Sequence, residues 1–329
     1  MASINDIYNY LKNAYNTIKG FVTNHQKIYF DPTPQVVQVP TIDEDGNLVY
    51  VDVKNIAQIK KDMWDAVGGA LGQFNKTVYV DAENGDDNNP GTASEPFKTL
   101  KKAFDSAPVG SNLTIVLAGS DDYDNPIEYK ITSDIIVRNR FITLKANGSN
   151  RFAKITAEVF VESGILNHAY GILLFDSTLR LSSNSIEGFI ILENPKRTDT
   201  NKGWAWHHKG IINFYGGVSS VFLNGWPADY SQIVMTDEGG SNIFNVSSRN
   251  AGTAFAAINL WYLNAKVENS NCKIIDFYQG DSHVSGAIDA RVKSIIDNNG
   301  NNLELKDVIS GIVIDSDTGL AKNVLSATL

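Results

Sequence analysis

Short apolar runs return along most of this chain, and each stops at Asn, Gly, Ser or Asp. ILLF (172–175), FIIL (189–192), IINF (211–214), QIVM (232–235), AINL (257–260) and KIID (273–276) recur about every 15 to 25 residues. Runs this short, β-branched or alternating in pattern, read as strands. Asn tolerates left-handed backbone and bonds its own main chain, so it suits the turns between them. From Thr77 onward only one amphipathic helix interrupts the strands. A regular return without an invariant motif is what a solenoid of parallel coils would give. A β-sandwich is the alternative, with strands about every 8–12 residues. The rhythm of strand, Asn turn, strand, Gly turn favours the solenoid.

A solenoid exposes apolar interior and unpaired strand edges at its first coil, so it needs a cap. The stretch VYVDAENGDDNNPGTASEPFKTLKKAFDSAP, Val78 to Pro108, is suited to that task. A strand leads into an acidic loop and then a helix for which Thr92 or Ser94 is the expected N-cap, with Pro96 in the first turn and Glu95 near the positive dipole end. Phe97, Leu100, Phe104 and Ala107 form one apolar face about three turns long, with Lys98, Lys101 and Lys102 off it. Pro108 and Gly110 end the helix. Asp81, Glu83, Asp86 and Asp87 offer hard oxygen ligands, but the spacing is not that of an EF-hand and no closing Glu follows. Turn formation is their expected role, and the reading carries no cofactor.

Gly85, Asp86, Asn89, Pro90, Gly91 and Thr92, followed by Pro96, Phe97, Thr99, Leu100 and Ala103, resemble the N-terminal cap of the right-handed parallel β-helix proteins, the pectate-lyase-like superfamily. That motif speaks for fold and little for activity. The resemblance implies a mainly β protein, a right-handed parallel β-helix with an N-terminal helix cap. Its members include pectate lyases, other polysaccharide-degrading enzymes, and bacteriophage tailspikes and tail fibres.

Ahead of the cap, Ile4, Ile7, Leu11, Ala14, Ile18 and Phe21 follow a 3-4-3-4-3 spacing, the seam of a heptad repeat that suits a trimer at least as well as a dimer. A single helix lying on its own domain fits the same spacing. A hairpin follows, QVVQVPTI and NLVYVDV around Asp45-Gly46, then a second heptad-like helix with Asn55 as N-cap and Ile56, Ile59, Met63, Ala66 and Ala70 on its seam. The expected organisation is an α-helical and hairpin oligomerising stem (1–76), the cap (77–110), the parallel β-helix (111–310), and C-terminal strands or a tip (311–329). A stem before the cap, and an N-terminus without the basic and apolar regions of a signal peptide, resemble the phage group most. The resemblance implies a homotrimeric virion protein, docked on tail or baseplate proteins through residues 1–76 and made in the host cytoplasm.

A net charge of −9 argues against nucleic acid as partner, and no run of about 18 apolar residues is present to insert in a membrane. Cys272 is the single cysteine, so an intrachain disulfide is excluded and a small buried residue is expected.

Glycoside hydrolysis uses paired carboxylates. Asp176, Glu187 and Glu193, read as lying on adjacent coils, and Asp276 with Asp281, are the weak catalytic candidates. Lyase chemistry would want a base, for which Arg180, Lys196 and Arg197 are available. The segment NKGWAWHHKG (201–210) breaks the coil rhythm. Trp204, Trp206, His207 and His208 there could meet a glycan by stacking and hydrogen bonding, or could pack a loop folded back on the helix. No metal is expected, since adjacent histidines point apart and no third ligand is evident. Trp226, Trp261 and Tyr262 read as packing or subunit interface. The functional expectation is a tail-fibre- or tailspike-like protein binding host cell-surface polysaccharide. The alternatives are a glycan depolymerase of the same fold and a structural connector without ligand.

Overall fold

The computed structural model describes residues 8–9, 11–16, 37–42, 47–53, 75–225, 230–236, 240–248, 253–269, 271–278 and 283–326. The chain divides into two compact units, Met1–Gly72 and Gln73–Leu329. In the first, residues 8–9 and 11–16 are helical, with Leu11 of the heptad seam 61% exposed. Strands Val37–Ile42 and Leu48–Val53 form the expected antiparallel hairpin, from Val37 opposite Val53 to Ile42 opposite Leu48. Ile4, Ile7, Ile18, Phe21 and the second heptad-like helix lie outside the described residues.

The second unit is a parallel β-helix of three sheets. One column of the first sheet runs through Asn75, Asn112, Phe141, Thr178, Ser220, Ala257, Ala287 and Leu325, one residue per coil, at spacings of 29 to 42 residues. The second sheet stacks Ile127–Ile131, Phe152–Ala157, Phe189–Glu193, Ile233–Met235 and the latter halves of two long strands. The third stacks Ile135–Arg138, Ile172–Phe175, the start of Gly210–Gly225, Asn242–Val246, Lys273–Phe277 and Ile309–Ser310.

Three strands per circuit explain why the apolar runs return faster than the coils do. ILLF, IINF and KIID sit on the third sheet, FIIL and QIVM on the second, and AINL on the first. Among the described residues the first sheet carries eight strand segments. Inward positions pack one continuous core: Leu113, Ile142, Leu179, Val221, Ile258 and Ile288 form a single buried column under the first sheet. Cys272 is part of that core. Strand Gly210–Gly225 turns the corner from third to first sheet at Gly217, whose φ of +67° lies in the left-handed region that side chains rarely adopt.

The cap helix is Leu100–Asp105, with Thr99 as N-cap accepting from Lys102 N–H at 3.1 Å. It starts later and is shorter than the apolar spacing suggested, for a local reason. Phe97 stays extended and bridges Val80, while the Asp87 carboxylate accepts from the N–H groups of Lys98 and Thr99 and from the Thr99 hydroxyl. Thr92 instead closes a small turn by accepting from Glu95 N–H. The apolar face is as read: Phe97, Leu100, Phe104 and Ala107 are buried, and Ala103 joins them. The acidic loop caps itself, Asp81 accepting from Glu83 and Asn84 N–H and Asp86 from Asn88 N–H.

Past residue 310 the chain completes another part-circuit. Val324–Ser326 pairs in parallel with Gly286–Ile288, burying Val324 and leaving Leu325 70% exposed. No helix among the described residues is long and apolar enough to cross a membrane.

Candidate functional site

In a parallel coil stack, register decides which outward side chains meet. On the outer face of the first sheet one column reads Thr143, Arg180, Phe222, Asn259, Asp289 and the next reads Lys145, Ser182, Asn224, Trp261, Arg291. Phe141, Phe222 and Trp261 stay 43%, 39% and 37% exposed, a poor arrangement for packing and a good one for contact. With Arg180, Asn224 and Asn259 they line a cleft of about 310 Å³. A second cleft of about 460 Å³, lined by Asn184, Ser185, Ile186, Glu187 and Gly225, shares Asn224 with it, so the two adjoin.

The polar groups are held in place. Asp289 accepts from Asn259 Nδ2 at 3.1 Å and from Trp261 Nε1 at 3.3 Å, and the Arg291 guanidinium lies 4.8 Å from the Trp261 ring centre. These contacts fix the indole against the sheet with its free area outward. Glu187 accepts from the Ser182 hydroxyl and from Asn184 Nδ2, and faces Lys145 at 3.7 Å. The Ser182 hydrogen bond does most to hold its carboxyl below the ordinary carboxylate range, with Asn184, Lys145 and Arg180 adding to it against partial burial.

A separate polar cleft of about 390 Å³ lies on the second sheet, lined by Glu128, Lys130, Lys154, Glu158, Glu193 and Lys196 among others. Lys154 Nζ bridges Glu193 at 3.0 Å and Glu128 at 3.8 Å, and Lys196 meets Glu193 at 2.6 Å. Burial pushes the Glu193 carboxyl up, but the two lysines outweigh it and the net shift is downward.

The remaining carboxylate candidates are scattered. Asp176, Glu187 and Glu193 belong to one circuit, not to adjacent coils, because each turn of the helix takes at least 26 residues; they sit at three different places around it. Asp176 is a corner residue with φ +47° that accepts from Val218 N–H. Asp276 is buried, paired with Lys209 and bonded by the Ser310 hydroxyl. Asp281 lies outside the described residues, as does Trp226.

The 194–209 segment folds back over the third sheet. Ser241 Oγ donates to Pro195 O, Asn245 Nδ2 donates to Trp206 O, and Lys209 pairs with Asp276. Trp204 is half-buried in a two-residue strand against Leu166–Asn167. Trp206 is 39% exposed but stacks on Tyr278, with ring centres 4.1 Å apart. His207 is half-buried, and His208 is buried against His168. Sequence spacing pointed to this segment because it breaks the coil rhythm. It passed over Phe222 and read Trp261 as packing or subunit interface, because both keep that rhythm. The available signal was their position two residues apart in outward phase on successive coils.

No family model matches the chain, and no curated protein matches it. Among solved structures, the crystal structure of the GH136 lacto-N-biosidase from Eubacterium ramulus aligns over 70% of this chain and 38% of that one, with 11% identity and a TM-score of 0.29. The chain thus spans well under half the length of that enzyme, and a likeness this distant says nothing of its own chemistry.

Proposed function

We propose that the protein is a tail-fibre- or tailspike-like component of a bacteriophage virion that binds host-surface polysaccharide along the outer face of its first sheet. The observation that carries the binding reading is the exposed aromatic groove of Phe141, Phe222 and Trp261, rimmed by Arg180, Asn224, Asn259 and Asp289. Aromatic faces stack on the apolar faces of sugar rings, and fixed amide, guanidinium and carboxylate groups select hydroxyls. Coils repeat about every 4.8 Å, so a polymer lying along the axis meets a fresh set of outward side chains at each step. The virion reading is supported by the cap's resemblance and by the heptad seam, whose Leu11 is left uncovered within one chain. Side-by-side trimerisation would cover it.

The depolymerase reading finds less support in this groove. Glu187 lines the second cleft and is held in its charged form, and the rim carboxylate Asp289 is engaged by Asn259 and Trp261. A glycosidase needs a second carboxyl that keeps its proton near neutrality.

The test is retention of the full chain on purified capsular polysaccharide or lipopolysaccharide, with Trp261→Ala and Phe222→Ala as variants and reducing ends assayed in parallel. Binding lost in both variants with no new reducing ends supports the proposal. New reducing ends or unsaturated products establish the depolymerase instead. Retention by neither the wild type nor the variants on any host glycan leaves a connector. A solution mass near three times 36.0 kDa is expected for the full chain.

A further inference from the structure

His168 and His208 occupy equivalent places on successive coils. Each stands four residues before a register-matched isoleucine of the third sheet, Ile172 and Ile212. Their imidazoles stack at 3.8 Å between ring centres with planes 23° apart, and both residues are about 95% buried. On the preceding coil Asp134 stands one residue before Ile135, which pairs with Ile172. Its carboxylate reaches the same place, and one ligand atom from each of Asp134, His168 and His208 lies within 4.8 Å of the other two. Three consecutive coils therefore converge on one point.

We propose that Asp134, His168 and His208 form a binding site for a divalent transition metal, Zn²⁺ being the best fit, that pins the two excursions of the solenoid to its third sheet. Two imidazoles and one carboxylate are borderline ligands that suit Zn²⁺, Co²⁺ or Ni²⁺ and not the all-oxygen shells of Ca²⁺ or Mg²⁺. The surroundings orient each ligand as outer-shell groups do in metal sites. Glu162 lies 3.1 Å from His168 Nδ1, which directs Nε2 toward the site. Gly171 N–H donates to Asp134 Oδ1 at 3.1 Å, and the Tyr215 hydroxyl lies against the His208 ring, 2.5 Å from Nε2 and 3.2 Å from Nδ1. Bonds of about 2.0–2.2 Å to a tetrahedral ion set its ligand atoms about 3.3–3.6 Å apart, inside the 4.8 Å within which these three lie. Water takes the fourth position.

The role follows from where the ligands sit. His168 belongs to the excursion hairpin Val159–Glu162 and Leu166–Ala169, and His208 to the 194–209 segment. Asp134 precedes a strand of the third sheet. An ion joining them ties both excursions to the coil stack, and binding adds directly to the stability of the folded state.

The experiment titrates Co²⁺ and then Zn²⁺ into the chelator-treated full chain, following the visible Co²⁺ absorption band and the melting temperature. One equivalent of Co²⁺ is expected to give the band, Zn²⁺ to displace it, and both ions to raise the melting temperature. His208→Gln and the near-isosteric Asp134→Asn should each abolish the band, and Glu162→Gln should weaken binding about 10- to 100-fold. His283→Gln, an exposed histidine on another coil, should leave it intact. Circular dichroism identifies a variant that has failed to fold, and the Asp134→Asn chain then decides. Absence of both band and thermal shift in the wild type overturns the site. So does binding that persists unchanged in folded Asp134→Asn and His208→Gln chains, which would place the ion elsewhere.

Discussion

The outer faces of the first and third sheets are made by the same coils and have opposite fates. On the first sheet the outward columns stay open, and their aromatic and charged side chains meet solvent. On the third sheet the corresponding column runs Ile136, Leu173, Asn213, Asn245, Asp276 and Ser310, and the 194–209 segment covers its middle. Asn213 and Asn245 are fully buried there, and each has an amide oxygen without a hydrogen-bond partner. A buried unpaired acceptor costs about 1–3 kcal/mol. The covered face is therefore where polar outward residues bear on stability, and the open face is where the same positions are released for recognition. In a coil stack the core is fixed by the inward phase, so outward positions acquire a role from what covers them.

The largest effect should come from the covered face. Lys209→Met removes the partner of buried Asp276 and leaves that carboxylate with the Ser310 hydroxyl. Breaking a buried pair from one side costs about 3 kcal/mol at the low end of the usual range, which suits a site retaining some exposure. Urea denaturation should show that loss, and the double variant Lys209→Met/Asp276→Leu should recover much of it. A Lys209→Met chain as stable as wild type would mean that the 194–209 segment does not seal this face, and the contrast between the sheets would fail.

The second sheet stands between the two extremes, and Glu193 tests it. Its folded pKa is depressed, so the stability it contributes is present above the ordinary value of 4.5 and is lost as pH falls through the lower folded value. Glu193→Gln should cost about 1–2 kcal/mol at neutral pH, a modest figure because Lys196 is 61% exposed and screened. The gap between variant and wild type should close as pH drops below 4.5. A gap that is constant with pH would show that the lysine pairs contribute nothing through charge.

Much of this organisation was legible in the sequence, and what was missed has a physical cause. Turn-bounded apolar runs and the cap motif fix the solenoid, because inward phase and turn chemistry are local properties. The grouping of Asp176, Glu187 and Glu193 was not legible, since a run reveals that it is a strand but not which of three sheets receives it. The helix start was misplaced for a similar reason: Asp87 and Val80, both outside the helix, hold residues 97–99 extended. Asp134, His168 and His208 are separated by 34 and 40 residues, and only the register of Ile135, Ile172 and Ile212 brings them together. The heptad seam can be read from spacing alone, but its partner cannot.

The smallest stability effect is expected on the open face, and it separates the faces most sharply. Phe222→Ala and Trp261→Ala remove side chains already 39% and 37% exposed, whose backbones remain paired to strands on both sides. Truncation there should cost no more than about 1 kcal/mol, with the larger share at Trp261, which gives up its hydrogen bond to Asp289 and its contact with Arg291. Glycan retention, by contrast, should fall at least about tenfold in each variant, since a buried aromatic contact in a binding groove is worth more than about 1.4 kcal/mol. Loss of binding at unchanged stability would mark residues kept for contact. Should stability collapse with binding, Phe222 and Trp261 are structural after all, and the first sheet is one more packed face whose cover is a second copy of the chain.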